Sequence, residues 1–406
     1  MKLREYQKRN SDKAVELIKN YNIAYLSMEV RTGKTLTALA ACEKLQKKEV
    51  LFVTKKKAIQ SIKNDYENFG FNFDLKLINY ESLHKLDYLP DIIIIDEAHG
   101  LGAFPKPSLR TKQLKIICKD LPIIYLSGTP TPESHSQIYH QFFISSFSPF
   151  IESNFYKWAN LYVNKKKKYL YNKEINDYSE GIKALIDEKT KHLFISFTQL
   201  QAGFDNLINE AVLFVEMKQS THNLAKLIQR DLVYESEKGV ILADTPAKLM
   251  QKLHQIYSGT IKTEGSDKII FDTSKADFIK QYFEGRKIAI YYKFIAEGEL
   301  LRSIFTNHTD SPEEFNDNDD KVFISQVVSG REGVNLSSAD NIVFYNIDFS
   351  AVSYWQARDR MSSKTRTKEN KVYWIFCKGG IEEKIYKTVQ DKKNYTLKYF
   401  KNDFGK

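Results

Sequence analysis

Along the first third of the chain, short apolar runs alternate with stretches whose apolar residues recur every three to four positions. The runs at 50–54 (VLFVT), 75–78 (LKLI), 92–95 (IIII) and 123–126 (IIYL) have the length of strands. The segments 36–46 and 58–69 between them suit helices. Strands that are nearly continuous in apolar residues leave no face for water, so they predict a parallel sheet covered by helices on both sides. This rhythm breaks between about 144 and 266, where the run Lys165-Lys166-Lys167-Lys168 and several helix-like stretches lie. One of these, 247–257, carries Leu249, Leu253 and Ile256 at helical spacing. Alternation then resumes, with strand patterns at 288–292, 322–325, 342–345 and 372–376 and helix patterns at 275–283, 297–305, 352–361 and 381–389. The pattern predicts an α/β protein in three parts: a parallel-sheet lobe over 1–143, a connector with a partly helical insertion over 144–266, and a second α/β lobe over 267–406.

Composition narrows the class. With 406 residues, 42% hydrophobic and 28% charged, the chain is expected to be globular and to hold two or three domains. No apolar stretch approaches the roughly 20 residues a membrane helix needs, and the first residues lack the apolar core of a secretory signal. The expected location is therefore cytoplasmic, in a bacterial or phage-infected cell, with no membrane partner. Cys42, Cys118 and Cys377 are scattered without metal-ligand spacing, which suits unpaired thiols in a reducing compartment. The net charge of +10, from 61 Lys and Arg against 51 Asp and Glu, suits a polyanionic partner. By itself it equally describes a basic, solvated surface. Some of the 24 Tyr and 26 Phe have the chemistry to stack on bases, although most belong in a core.

Two short words carry the chemistry. Thr32-Gly33-Lys34-Thr35 ends as a phosphate-binding loop ends: backbone amides and a helix N-terminus attract phosphate, Lys34 neutralises β/γ oxygens, and Thr35 ligates Mg²⁺. Asp96-Glu97-Ala98-His99 directly follows the four isoleucines. It therefore falls at the carboxyl end of a buried strand, where ligands bind in open α/β sheets. There Asp96 would hold Mg²⁺ and Glu97 would polarise an attacking water. The two words together predict binding and hydrolysis of a nucleoside triphosphate. His99 has no second ligand at zinc spacing, so it reads as a coupling residue of the Asp-Glu motif.

At these residues the chain resembles the superfamily-two helicases and translocases, in their Swi/Snf-like branch, and in size it resembles compact phage-encoded members. The resemblance runs in order along nearly the whole chain. Leu3-Arg4-Glu5-Tyr6-Gln7 is similar to the adenine-reading motif, which implies that Gln7 bonds the base edge. Thr54 with Lys55 and Lys56, and Asn79-Tyr80-Glu81-Ser82, resemble nucleic-acid motifs. Ser127-Gly128-Thr129-Pro130 resembles the motif that couples hydrolysis to domain movement. Tyr291-Tyr292-Lys293-Phe294 resembles the fourth motif, which implies that Lys293 meets nucleic acid. Gly330-Arg331-Glu332-Gly333-Val334-Asn335-Leu336 resembles a motif specific to this branch, with Gly330 toward nucleic acid and Gly333 toward phosphate. Leu249-Met250-Gln251-Lys252-Leu253 resembles a segment between the lobes. Gln356-Ala357-Arg358-Asp359-Arg360 resembles the sixth motif, with Arg360 as an arginine finger and Gln356 beside it.

The resemblance implies two RecA-like lobes with ATP and Mg²⁺ bound between them and DNA, duplex or branched, gripped through its backbone. It implies a DNA-stimulated translocase or helicase, for which a monomer suffices. Two other readings stay open: a nucleic-acid-binding scaffold whose ATPase has decayed, and an RNA helicase. The first is motivated by two departures from the family pattern, Arg31 in place of a usual loop glycine and Ser363 where a second arginine is usual. Met28 also stands in place of the first loop glycine. Lys55-Lys56-Lys57 and the lysines at 165–168 read either as phosphate contacts or as solvated faces. Trp158, Trp355 and Trp374 read as core residues by default, with Trp355 next to Gln356.

Overall fold

The structure, a computed structural model, describes residues 2–86, 88–170, 173–203, 208–237, 239–327, 336, 338–350, 354, 370–391, 395 and 397–404. The chain forms two compact units, Met1–Gly203 and Phe204–Lys406.

The first unit is built on strands β1 (Ile23–Met28), β2 (Glu49–Thr54), β3 (Asp74–Asn79), β4 (Ile92–Ile95) and β5 (Ile123–Leu126), an antiparallel hairpin β6 (Lys166–Leu170) and β7 (Lys173–Asp177), and β8 (Phe194–Phe197). Six of these form one parallel sheet in the order β3-β2-β4-β5-β1-β8. Helices α1 (Glu5–Tyr21), α2 (Lys34–Lys44), α3 (Ile59–Phe69) and α4 (Leu109–Cys118) accompany it. All four isoleucines of β4 are fully buried, as are Ile123–Leu126 of β5. Each such side chain contributes on the order of 1.5–3 kcal/mol by leaving water. Register is held by aromatic neighbours: Tyr25 lies opposite Tyr125 and Phe194, with ring centroids 5.5 and 4.4 Å away.

His140 packs in this unit against the Tyr139, Phe143 and Phe155 rings, and its Nδ1 lies 2.6 Å from the Ala103 carbonyl. Burial pushes its pKa down to about 4, against the favourable Ala103 hydrogen bond, with Lys115 adding to the depression. The unfolded histidine titrates near 6.5, so between these pH values the unfolded chain binds more protons. The stability from neutral His140 is thus complete above pH 6.5 and is lost as pH falls toward 4. The first unit should lose up to about 3 kcal/mol over that window. Chemical denaturation of wild type and His140→Leu should show the acid-side slope reduced in the variant.

The second unit contains β9 (Ile208–Val215), two short antiparallel pairs, β10 (Val233–Ser236) with β11 (Gly239–Leu242) and β12 (Thr260–Lys262) with β13 (Lys268–Ile270), and then β14 (Ile288–Tyr292), β15 (His308–Thr309), β16 (Val322–Gln326), β17 (Asn341–Phe344) and β18 (Asn370–Cys377). Its six-stranded sheet is again parallel, in the order β15-β16-β14-β17-β18-β9. Tyr291, Phe344 and Trp374 face one another across three strands, with centroids 5.4 and 3.9 Å apart. Lys275 and Glu382 form a fully buried ion pair at 2.6 Å. Loss of either partner would strand a charge in the core.

The chain therefore has two parallel-sheet α/β cores, as its hydrophobic pattern predicts, consistent with the two RecA-like lobes that the family resemblance implies. Every strand pattern named above has an observed strand over it. The helix pattern at 247–257 is the helix Pro246–Ile256, started by Thr245, whose hydroxyl accepts from the Lys248 amide. The helix pattern at 352–361 lies almost entirely outside the described residues. The stretch 144–266 is shared between the units, and its apolar segments β8 and β9 close an edge of each sheet. In the lysine run, Lys166 pairs with Glu180 at 2.5 Å and Lys167 pairs with Glu174. Trp158 and Trp374 are buried. Among the described residues no helix is long and apolar enough to cross a membrane.

Candidate nucleotide site

Strand β1 ends at Met28, and the loop Glu29–Gly33 then delivers the chain to the N-terminus of α2. Gly33 caps that helix with φ +81°, in the left-handed region where a side chain is strained. Space is a second reason for glycine here: a Cβ would lie 2.1 Å from Gln7 Nε2. Gln7 is itself buried, and its Oε1 accepts from the Arg4 amide at 2.8 Å. The adenine-motif residue thus packs directly on the phosphate loop. Arg31 also has a positive φ, +60°. A non-glycine residue there carries roughly 1–2 kcal/mol of strain, which explains why a glycine is usual at that place.

Within the loop, the buried Thr32 donates its hydroxyl to the Glu29 carbonyl at 2.7 Å. The Lys34 ammonium donates to the carbonyls of Met28 (2.9 Å) and Glu29 (3.1 Å). Burial lowers the Lys34 pKa, and the carboxylates of Glu97, Asp96 and Glu29 oppose that shift. Thr35, half-buried, follows on the first turn of α2.

Asp96 leaves the carboxyl end of β4. Its Oδ2 accepts from the Thr54 hydroxyl at 2.8 Å, and its Oδ1 accepts from the Glu97 amide at 3.0 Å. Burial, followed by the neighbouring Glu97 charge, pushes the Asp96 pKa up to about 6, while the Thr54 bond and Lys34 pull it down. A cation near Asp96 offsets the cost of its buried charge. Glu97 adopts φ +51°, and this turn leaves its Oε2 3.3 Å from His99 Nδ1. The same ring nitrogen lies 3.1 Å from Ser127 Oγ, which also accepts from the Thr129 amide at 3.2 Å. A Cβ on Gly128 would lie 3.4 Å from the Met28 carbonyl. The Ser-Gly-Thr turn after β5 therefore touches the phosphate loop on one side and the Asp-Glu motif on the other.

Four sequence-distant segments thus meet at one end of the first sheet: Gln7, the loop 29–35, residues 96–99 and residues 127–129. The arrangement fits a nucleotide. A left-handed glycine, a helix N-terminus and a half-buried lysine face two carboxylates, one suited to a divalent cation and one to a water. Among the described residues no group of three or more His, Cys, Asp or Glu could hold a metal alone. A cation at Thr35 and Asp96 would thus need further oxygens from phosphate or water, the coordination habit of Mg²⁺.

Three residues expected to contact nucleic acid have internal partners in this structure. Thr54 is fully buried and spends its hydroxyl on Asp96. Tyr80 is buried, and its hydroxyl donates to the Asp96 carbonyl. Thr54 thus braces the Asp96 carboxylate, and Tyr80 braces the Asp96 backbone. Lys293 pairs with Asp348 at 3.0 Å and lies 3.5 Å over the Phe349 ring, so its charge is engaged internally. Asn79 is half-buried, with Oδ1 unpartnered among the described residues. Lys55 is half-buried and Lys56 is exposed, just beyond β2. Gly330, Gly333, Gln356, Arg360, Ser363 and Trp355 lie outside the described residues.

Two contributors were not read from the sequence. Glu29 Oε2 accepts from the Gln199 amide at 2.8 Å, and Gln199 Nε2 donates to the Val30 carbonyl at 3.0 Å. No spacing rule joins positions 170 residues apart; only the pairing of β8 with β1 does.

Residues 1–85 match the family described as type III restriction enzyme, res subunit. The chain is similar to the chromatin-remodeling ATPase INO80 of Saccharomyces cerevisiae, 24% identical over 46% of this chain and 14% of the yeast protein. With the human INO80 it is 30% identical over 32% of this chain and 10% of that protein. A Xenopus tropicalis SWI/SNF-related regulator of chromatin, subfamily A containing DEAD/H box 1, is 28% identical over 48% of this chain and 19% of its own length. The chain therefore spans a tenth to a fifth of these relatives. With two parallel-sheet cores and a helicase-type phosphate loop, these matches support a superfamily-two helicase-like protein similar to Swi/Snf-type ATPases.

Proposed function

We propose that the chain is a DNA-stimulated ATPase that uses turnover to translocate along, or to unwind, duplex or branched DNA. The observation that supports this most is the convergence of Lys34, Asp96 and Glu97 with the His99–Ser127 contact at one end of the first sheet. Thr32, Gly33 and the α2 N-terminus would receive the phosphates of ATP, and Gln7 the base. Lys34 would exchange its two carbonyl partners for β/γ oxygens. Thr35 and Asp96 would hold Mg²⁺, which supplies charge neutralisation on the triphosphate when bound. Glu97 would orient the attacking water and take its proton, a role worth typically 10²–10⁴-fold. His99, between Glu97 and Ser127, would pass the change at Glu97 to the turn that touches the phosphate loop. Lys55, Lys56 and Asn79, at the ends of β2 and β3, are the proposed backbone contacts in the first unit, and Gly330 is proposed in the second. Gly333, Gln356 and Arg360 are assigned to the triphosphate on motif order alone.

ATP turnover measured with and without duplex, forked and single-stranded DNA, and with RNA, tests this reading. Stimulation of at least tenfold by a DNA effector is expected. A folded protein whose turnover ignores every DNA refutes it, and preferential stimulation by RNA would make it an RNA helicase.

A further inference from the structure

The last turn of the first unit, residues 198–203, grips the phosphate loop. The Glu29 amide donates to the Phe197 carbonyl at 2.9 Å, the Glu29 carboxylate accepts from the Gln199 amide at 2.8 Å, and Gln199 Nε2 reaches the Val30 carbonyl at 3.0 Å. The turn is braced by its own bonds. The Thr198 amide donates to Gln201 Oε1 (2.9 Å), the Gln201 amide to Thr198 Oγ1 (3.2 Å), and the Ala202 and Gly203 amides to the carbonyls of Thr198 (3.1 Å) and Leu200 (2.9 Å). These bonds tie residues 198–203 to one another. At its far end is Gly203, where the first unit gives way to the second.

The same short stretch of loop, Met28 and Glu29, offers the carbonyls that hold the Lys34 ammonium. A triphosphate that draws Lys34 away changes the bonding of the residues Gln199 clasps. We propose that turn 198–203 is a strut that conveys occupancy of the phosphate loop to the chain entering the second unit, with Gln199 as its positioning residue. This rests on the reading that ATP occupies the loop.

The test is made on the full chain. A fluorescent ATP analogue reports affinity, and hydrogen exchange of amides 198–203 is followed with and without saturating ADP or ATPγS. In the wild type, nucleotide should change exchange in the turn about fivefold or more. Gln199→Ala should abolish that response and raise the ATP KM about five- to tenfold, as expected for lost hydrogen bonds, with kcat altered less than twofold. A merely structural turn residue would instead reduce the active fraction and leave KM in place. Leu200→Ser, in the same turn but with an exposed side chain, should behave as wild type. Nucleotide binding by the wild type without any change in turn exchange overturns the strut and leaves the nucleotide site standing. This measurement holds even if Gln199→Ala does not fold. Wild-type affinity and KM in a folded Gln199→Ala overturn it as well. Failure of the wild type to bind nucleotide overturns both.

Discussion

Lys34→Ala should reduce ATP turnover by at least about 10²–10³-fold, the scale of losing a preorganised cation at a developing charge. The structure gives a physical reason for so large an effect at this one lysine. Its side chain is half-buried, its ammonium bonded to the Met28 and Glu29 carbonyls and set among the Glu97, Asp96 and Glu29 carboxylates. The substitution should also change how stability depends on pH. Asp96 is already held up at about 6, and without Lys34 its pKa should rise further. A raised carboxyl favours the protonated folded form, so the variant should lose stability relative to wild type as pH rises through and above 6. Melting temperatures at pH 5.5 and 8 measure this, and turnover by phosphate release measures the catalytic loss. Activity within tenfold of wild type in a folded Lys34→Ala protein would end the site assignment.

Glu97→Gln should separate binding from chemistry. The carboxamide keeps the size of the side chain and an oxygen for His99, which now lies 3.3 Å away, but it cannot accept a proton from water. Turnover should fall about 10²–10⁴-fold while nucleotide affinity changes less than about threefold. The Glu97 charge is the second largest cause of the raised Asp96 pKa. Its removal should therefore let Asp96 ionise at lower pH and hold a divalent cation there more readily. Single-turnover measurements with a direct binding titration distinguish the outcomes. A variant that turns over ATP within tenfold of wild type would assign the water-activating role elsewhere.

Much of the fold was legible because the strands advertise their burial. The run Ile92–Ile95 has no polar residue to spend on solvent, and it lies in the middle of the first sheet. The phosphate loop and the Asp-Glu pair were legible because their chemistry demands particular residues in immediate succession. The edges were harder to read. β8 and β9 sit in a stretch without clear alternation, and β1, which carries the loop, was not named as a strand from its pattern. The internal partners of Thr54, Tyr80 and Lys293 escaped the sequence for one reason. Each follows or ends a strand, where a polar side chain reads as surface-facing. Whether it faces solvent depends on the neighbouring strand: β2 pairs with β4 so that Val53 lies opposite Ile95, which brings Thr54 beside Asp96.

The sequence by itself determined the two α/β sheets, the Gly33-Lys34 succession, the place of Asp96 and Glu97 at the end of their strand, and the resemblance to a class of protein. Those properties follow from local burial patterns and from chemistry confined to a few adjacent residues. Only the tertiary structure decided which distant groups complete the site. Gln7 against Gly33 arises from helix packing, whereas Thr54 and Tyr80 on Asp96, Ser127 at His99, and Gln199 on the loop arise from parallel strand register. Register is a collective property of the packed sheet, which no stretch of a few residues encodes.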